Sequence, residues 1–107
     1  TMLAGLHLAG SSFAIVQPSA RGLAWWQATV PRVLPHLEPE QRALMEDELA
    51  FQTELATSAA YRALPRGPIH GDLFRDNVLF DGPALVGVFD FYFAGVDTLL
   101  FDIAVAV

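Results

Sequence analysis

The chain has 107 residues, of which 53% are hydrophobic, and it sets 12 acidic side chains against 6 basic ones, all arginine, for a net charge of −6. That length makes one small domain, and the acidic balance, with a pI near 4.7, leaves no basic face to neutralise nucleic-acid phosphates or meet an anionic membrane. There is no cysteine, hence no disulfide or thiolate metal site; no stretch of about 18 uninterrupted apolar residues offers a membrane span, and no basic n-region is visible, so a cytoplasmic location is expected.

Residues 2–9 read as the end of a helix, with Leu3, Leu6 and Ala9 at helical spacing and Gly10 as a stop. "SSFAIVQPSARG" is a connector punctuated by Ser, Pro and Gly. Leu23 to Leu34 has helical character, which Pro31 should break or kink. The clearest helix runs from Glu38 to Leu64, with Pro39 suited to its first turn. Its broad apolar stripe consists of Leu44, Phe51 and Leu55 with Met45, Leu49 and Ala56, and Glu46-Asp47-Glu48 is a solvated face. "PRGP" at 65–68 ends the helical pattern. Two short β-type runs follow, Val78 to Phe80 and Leu85 to Phe89, joined by "DGPA" as a hairpin turn. From Asp97 onward Leu99, Leu100, Ile103, Ala104 and Val107 recur at helical spacing, with Asp97 or Thr98 as cap. The predicted order is helix, helix, helix, loop, hairpin, helix: an α+β fold, mainly helical.

A mean hydropathy of +0.39 is high for so short a chain. Apolar sequence runs to both ends, from "MLAGLHLAG" to "FDIAVAV", without the usual helix stop signals. The expectation is an internal or truncated piece of a longer protein, with part of its apolar surface covered by what is missing.

The chemistry concentrates in "IHGDLFRDNVLF", residues 69–80. His70, Asp72 and Asn77 fit the pattern H-x-D-x-x-x-x-N of kinase catalytic loops. A hydroxyl attacking a γ-phosphoryl group must be held in line, and a carboxylate at its proton does so and accepts the proton late. An amide oxygen ligates a hard cation without adding charge. A second ligand comes from the hairpin. Symmetric pairing sets Phe80 opposite Leu85 and Asn77 opposite Val88, so that Asp90 is a diagonal neighbour of Asn77 at about 7–8 Å. Asp90 is flanked by Val88, Phe89, Phe91, Tyr92 and Phe93, and a lone carboxylate buried in such a run is costly unless paired or bound to metal.

The other polar residues carry plainer readings. His70 supports the loop backbone rather than reacting. Arg75 either approaches phosphate or pairs with Asp76 at the surface, and Asp76 is a turn residue, a substrate contact or a solvated charge. Asp81 belongs to the turn. Asp102, inside "LLFDIAVAV", is placed where a solvated charge does not belong. His7 and His36 read as packing or surface histidines, and Trp25 and Trp26 as core or interface residues.

"HGDLFRDNVLF" followed by "GVFDFYFAGVDTLLFDIAVAV" resembles the aminoglycoside phosphotransferase and choline kinase-like superfamily, which has a protein-kinase-like fold. The likeness is narrowest to its homoserine kinase family, and "LAGLHLAGSSF" and "RGLAWW" extend it over most of the chain. One departure is that Gln17, Pro18 and Ser19 stand where that family usually has a basic and an amide residue. The resemblance implies a partial C-lobe over residues 1–107, without the N-lobe or the C-terminal remainder. It implies ATP-dependent phosphorylation of the homoserine hydroxyl, in threonine biosynthesis, with Mg²⁺. Asp72 is then the catalytic carboxylate, Asn77 and Asp90 the metal ligands, and Asp102 the helix residue that holds the catalytic-loop backbone beside His70. No glycine-rich loop or lysine is present to hold phosphates, and no residue is assigned to adenine, so the piece alone is expected to be inactive and poorly soluble. The alternatives are another hydroxyl kinase (choline, aminoglycoside or sugar), a non-catalytic pseudokinase-like module, and a metal-dependent hydrolase using His70, Asp72 and Asp90.

Overall fold

The computed structural model describes residues 1–14 and 16–107; Ile15, within the expected connector, lies outside them. Among the described residues four helices precede four short strands, and a fifth helix follows them, in an α+β arrangement. They divide into two compact units, residues 1–20 with 64–107, and residues 21–63.

The unit at 21–63 is helical. Helix α2 spans Leu23–Val33 and tightens into a 3-10 turn at Leu34–His36. Pro31 lies inside α2 without ending it. It stands in the last turn, where the missing N–H removes a single helical hydrogen bond. Helix α3, Pro39–Thr57, opens with Pro39 at its first position, and Gln41 Oε1 accepts from the Glu38 N–H at 3.2 Å. It stops at Ser58, earlier than the sequence pattern suggests. Ser58 is extended (φ −69°, ψ 149°), and its hydroxyl caps the four-residue α4, Ala59–Arg62, by accepting from the Tyr61 N–H. Leu49, Leu55 and Ala56 of α3 are half-buried, whereas Leu44 and Phe51, placed on the same apolar stripe, are 70% and 57% exposed.

The other unit carries the candidate chemistry. Helix α1, Met2–Gly10, packs on strand β1, Arg66–Ile69. Strand β1 pairs antiparallel with β4, Gly95–Thr98, in the register Arg66 to Thr98 through Ile69 to Gly95. The sequence reading missed this pair, because Gly67 and Pro68 argue against a strand and four residues show no period. Pro68 is tolerated beside Val96, whose N–H donates instead to Gln17 O at 2.6 Å. Of the two residues expected as helix caps, Thr98 is the N-cap of the last helix, whereas Asp97 is a buried strand residue. Its Oδ1 accepts from the Thr98 N–H and from Arg66 Nη2. Helix α5, Leu99–Ala106, follows directly.

The hairpin pairs β2, Val78–Asp81, with β3, Ala84–Val88. Gly82 at φ 57° precedes Pro83 in the two-residue connection. Positive then negative φ is the pattern of a type II′ turn. Phe80 does face Leu85, but a bulge between Leu79 and Phe80 leaves Val86 as the extra residue, so Val78 rather than Asn77 faces Val88. Only Ile69 and Leu73 are buried apolar residues among those described, and no described helix is long and apolar enough to cross a membrane.

Two glycines make opposite demands. A Cβ on Gly95 would lie 2.8 Å from Ser19 Cα and 3.0 Å from Pro18 O, both backbone atoms, whereas one on Gly5 in α1 meets nothing within 4 Å. Gly95→Ala is expected to destabilise by about 1–3 kcal/mol through overpacking. Gly5→Ala should stabilise by about 0.5–1 kcal/mol through helix propensity. Urea unfolding of the two variants checks both signs.

Candidate active site

Strand β1 ends in Ile69, and the chain turns at once into the loop 70–77. Gly71 makes that turn at φ 77°, and a Cβ there would meet Phe93 O at 2.7 Å. Both the backbone angle and the close approach call for glycine. The loop is then held from below by Asp102 of α5, which is fully buried. Its Oδ2 accepts from the His70 N–H at 2.8 Å and its Oδ1 from the Gly71 N–H at 2.7 Å. A third donor is His7 Nε2 of α1, 2.9 Å from Asp102 Oδ2. A carboxylate stripped of water costs several kcal/mol unless donors replace the lost solvent, and here three do.

His70 is also fully buried. Its Nε2 lies 2.9 Å from Phe89 O, and the Asp72 N–H points at its Nδ1 at 3.3 Å. A carbonyl only accepts and a backbone N–H only donates, so the ring fits as the neutral tautomer with its proton on Nε2. Both ring nitrogens are thereby taken. The ring of Phe91 packs against it at 4.7 Å. His70 thus ties the loop to the hairpin end, where the Phe89 N–H in turn donates to Asn77 O at 3.1 Å.

Asp72 and Asn77 meet inside the loop. Asn77 Nδ2 donates to Asp72 O at 2.7 Å and lies 3.3 Å from Asp72 Oδ2. Both neighbours are acceptors, which assigns the amide nitrogen to that side. Asn77 Oδ1 therefore faces away and takes part in no hydrogen bond among the described residues. The loop closes on itself through Phe74 N–H to Asp72 O and Asn77 N–H to Phe74 O, both at 2.9 Å. Asp72 and Asn77 are half-buried, reachable yet held.

Asp90 stands one residue beyond Phe89. It is the one non-glycine residue at positive φ among those described, at φ 62° and ψ 65°, a conformation that Asp tolerates better than most side chains. Its Oδ1 accepts a long bond, 3.4 Å, from the Tyr92 N–H at the 3-10 turn Phe91–Phe93. Asp90 is exposed, so the expected cost of burying it among aromatics does not arise. Among the described residues Asn77 Oδ1 and the second Asp90 oxygen have no protein partner, and two such hard donors suit Mg²⁺. No group of three or more His, Cys, Asp or Glu among the described residues could hold a metal. A cation here would complete its shell with water and phosphate oxygens, as Mg²⁺ ordinarily does.

Arg75 and Asp76 point outward. Their Nε–Oδ1 separation is 3.6 Å, and their side chains are 93% and 86% exposed. Such a pair contributes little and leaves Arg75 free to swing. Asp81 lies at the exposed turn. His7 is the residue that sequence reasoning passed over. A histidine in an apolar helix gave no sign of its partner 95 residues away.

A profile of the phosphotransferase enzyme family matches residues 1–107. The chain is 61% identical over 104 residues to a homoserine kinase of Polaromonas naphthalenivorans (strain CJ2), an alignment that covers 97% of the chain and 33% of the relative. It is 54% identical over 106 residues to one of Janthinobacterium sp. (strain Marseille), covering 99% and 33%. It is also 54% identical over 112 residues to one of Ralstonia pickettii (strain 12J), covering 99% and 34%. The chain thus spans about a third of the length of these relatives.

Replacing Asp102 by Asn would turn an amide N–H₂ toward donors on one side of the carboxylate. Such a mispaired buried group costs about 1–3 kcal/mol. Asp102→Asn is therefore expected to lower the urea midpoint by that equivalent and to speed amide exchange at His70 and Gly71, read by NMR.

Proposed function

We propose that this chain, which belongs to the phosphotransferase enzyme family, is part of the C-lobe of a cytoplasmic ATP-dependent homoserine kinase. It would supply the catalytic loop and the metal ligands, with the remaining parts of the enzyme on the same longer chain. The observation that carries this reading is the contact of Asn77 Nδ2 with Asp72, at 2.7 Å to O and 3.3 Å to Oδ2. It puts a reachable carboxylate beside an amide whose oxygen is left free for a cation.

In this reading the homoserine hydroxyl oxygen attacks the γ-phosphorus of ATP, the bond to the β–γ bridging oxygen breaks, and ADP leaves. Asp72 orients the hydroxyl and takes its proton. Asn77 fixes the Asp72 side chain and, with Asp90, would hold Mg²⁺, which when bound neutralises charge on the phosphate oxygens. His70 and Asp102 position the loop without touching substrate. Arg75, an exposed side chain on the loop itself, is a candidate phosphate contact, with Asp76 a candidate substrate contact. The homoserine assignment is supported by the relatives at 54% and 61% identity; another alcohol as acceptor would leave the roles of Asp72, Asn77 and Asp90 unchanged. A metal-dependent hydrolase built on His70 is disfavoured, because both ring nitrogens already have partners.

The test is ADP release by the full-length protein carrying this segment, with Mg-ATP and homoserine, choline or an aminoglycoside. Turnover with homoserine alone is expected. Asp72→Asn should lower kcat by about 10²–10⁴-fold, the usual worth of a general base, with KM for ATP little changed. Turnover of Asp72→Asn at the parent rate would remove the proposed role. For the 107 residues alone, no ADP release above background is expected.

A further inference from the structure

Resting on the site reading above, we infer that His7 is a positioning residue for phosphoryl transfer, acting through Asp102 on the backbone that carries Asp72. Among the described residues, the carboxylate of Asp102 is the only side chain bonding the N–H groups of His70 and Gly71. These two residues immediately precede Asp72. Two adjacent backbone donors hold the carboxylate only from the loop side. His7 supplies the donor from the opposite element, α1, on the same Oδ2 that receives the His70 N–H. A carboxylate only accepts, so His7 Nε2 carries the hydrogen in this contact.

The contact is built rather than incidental. The side chain of His7 is 10% exposed and that of Asp102 is fully buried, so water does not readily replace the lost donor. Helix α1 is itself closely seated on β1: a Cβ added at Gly10 would lie 3.2 Å from the Pro68 ring. The position of His7 is thus set by packing, and its N–H is aimed rather than adaptable. Without that donor, Asp102 Oδ2 is one partner short, and the carboxylate is free to rotate about its side chain. Rotation moves the acceptors away from His70 and Gly71, and the displacement passes along two residues of backbone to Asp72. A base held for in-line attack is sensitive to such shifts. The loss should fall on kcat rather than on KM, because Asp72 acts on the hydroxyl in the transition state while binding uses other groups.

The variants separate the donor from the volume. His7→Leu fills the space without a hydrogen, and His7→Gln restores an N–H near the position of Nε2. In the full-length protein assayed with Mg-ATP and homoserine, His7→Leu is expected to lower kcat per folded enzyme by about 10–100-fold, the range of a misplaced reacting group. Both KM values should stay close to the parent's, and His7→Gln should recover most of the lost turnover. Folded fraction is read by circular dichroism on the same samples. The inference is overturned if His7→Leu keeps the parent kcat, if its loss is matched by lost folded protein, or if His7→Gln is as impaired as His7→Leu. Asp72→Asn, assayed alongside, distinguishes the failures. Should it stay active, the site reading falls and takes this inference with it; should it be inactive while His7→Leu is not, only the role of His7 is wrong.

Discussion

A buried carboxylate organises the unit that carries the candidate site. Asp102 is fully buried, and among the described residues its hydrogen bonds go to the loop backbone at His70 and Gly71 and to helix α1 through His7. The loop at 70–77 contains two short turns and no regular ladder of its own. A loop of that kind holds one conformation only if its backbone groups are bonded from outside. Asp102 does this at the point where the loop leaves β1, where Gly71 must adopt a positive φ.

From that anchor the site is assembled by hydrogen bonds to the hairpin end rather than by a deep core. His70 donates to Phe89 O, the Phe89 N–H returns to Asn77 O, and a Cβ on Gly71 would run into Phe93 O. The effect is to bring the segment carrying Asp72 and Asn77 against the segment carrying Asp90. The hairpin bulge matters here. By consuming Val86 as an extra residue, it moves the register so that Asn77 lies beside Phe89, directly before Asp90. A polar scaffold of this kind is demanding, since an unpartnered buried group costs more than a made bond contributes, but it fixes direction in a way apolar packing does not.

The apolar core is thin by comparison. Ile69 and Leu73 are the buried apolar side chains among the described residues, while Leu8, Phe13, Leu44, Phe51, Phe80, Tyr92 and others are more than half exposed. The chain spans about a third of its curated relatives, and the hydropathy that stood out in the sequence is the same surface seen in three dimensions.

Periodicity made the helices legible, because each is a local pattern; α1 and α2 lie close to their expected bounds. Local chemistry likewise marked Asp72, Asn77 and Asp90 as candidates through spacing alone. What escaped was non-local. The β1–β4 pair joins four-residue strands about 30 residues apart, one of them containing Gly and Pro, so neither shows a period. The break at Ser58 came from a hydroxyl capping the next turn, a competition that apolar spacing does not register. Asp90 was expected to be buried by its neighbours in the chain, yet an αL backbone turns it to solvent. By itself, then, the sequence determined where helix forms, apart from the break at Ser58, and the hairpin and the residue types at the candidate site. Only the tertiary structure decided the partners: the bulged register, the roles taken by both nitrogens of His70, and the bond from His7 to Asp102. Hydrogen bonds between residues dozens of positions apart leave no trace in local spacing, because they depend on how the elements come together.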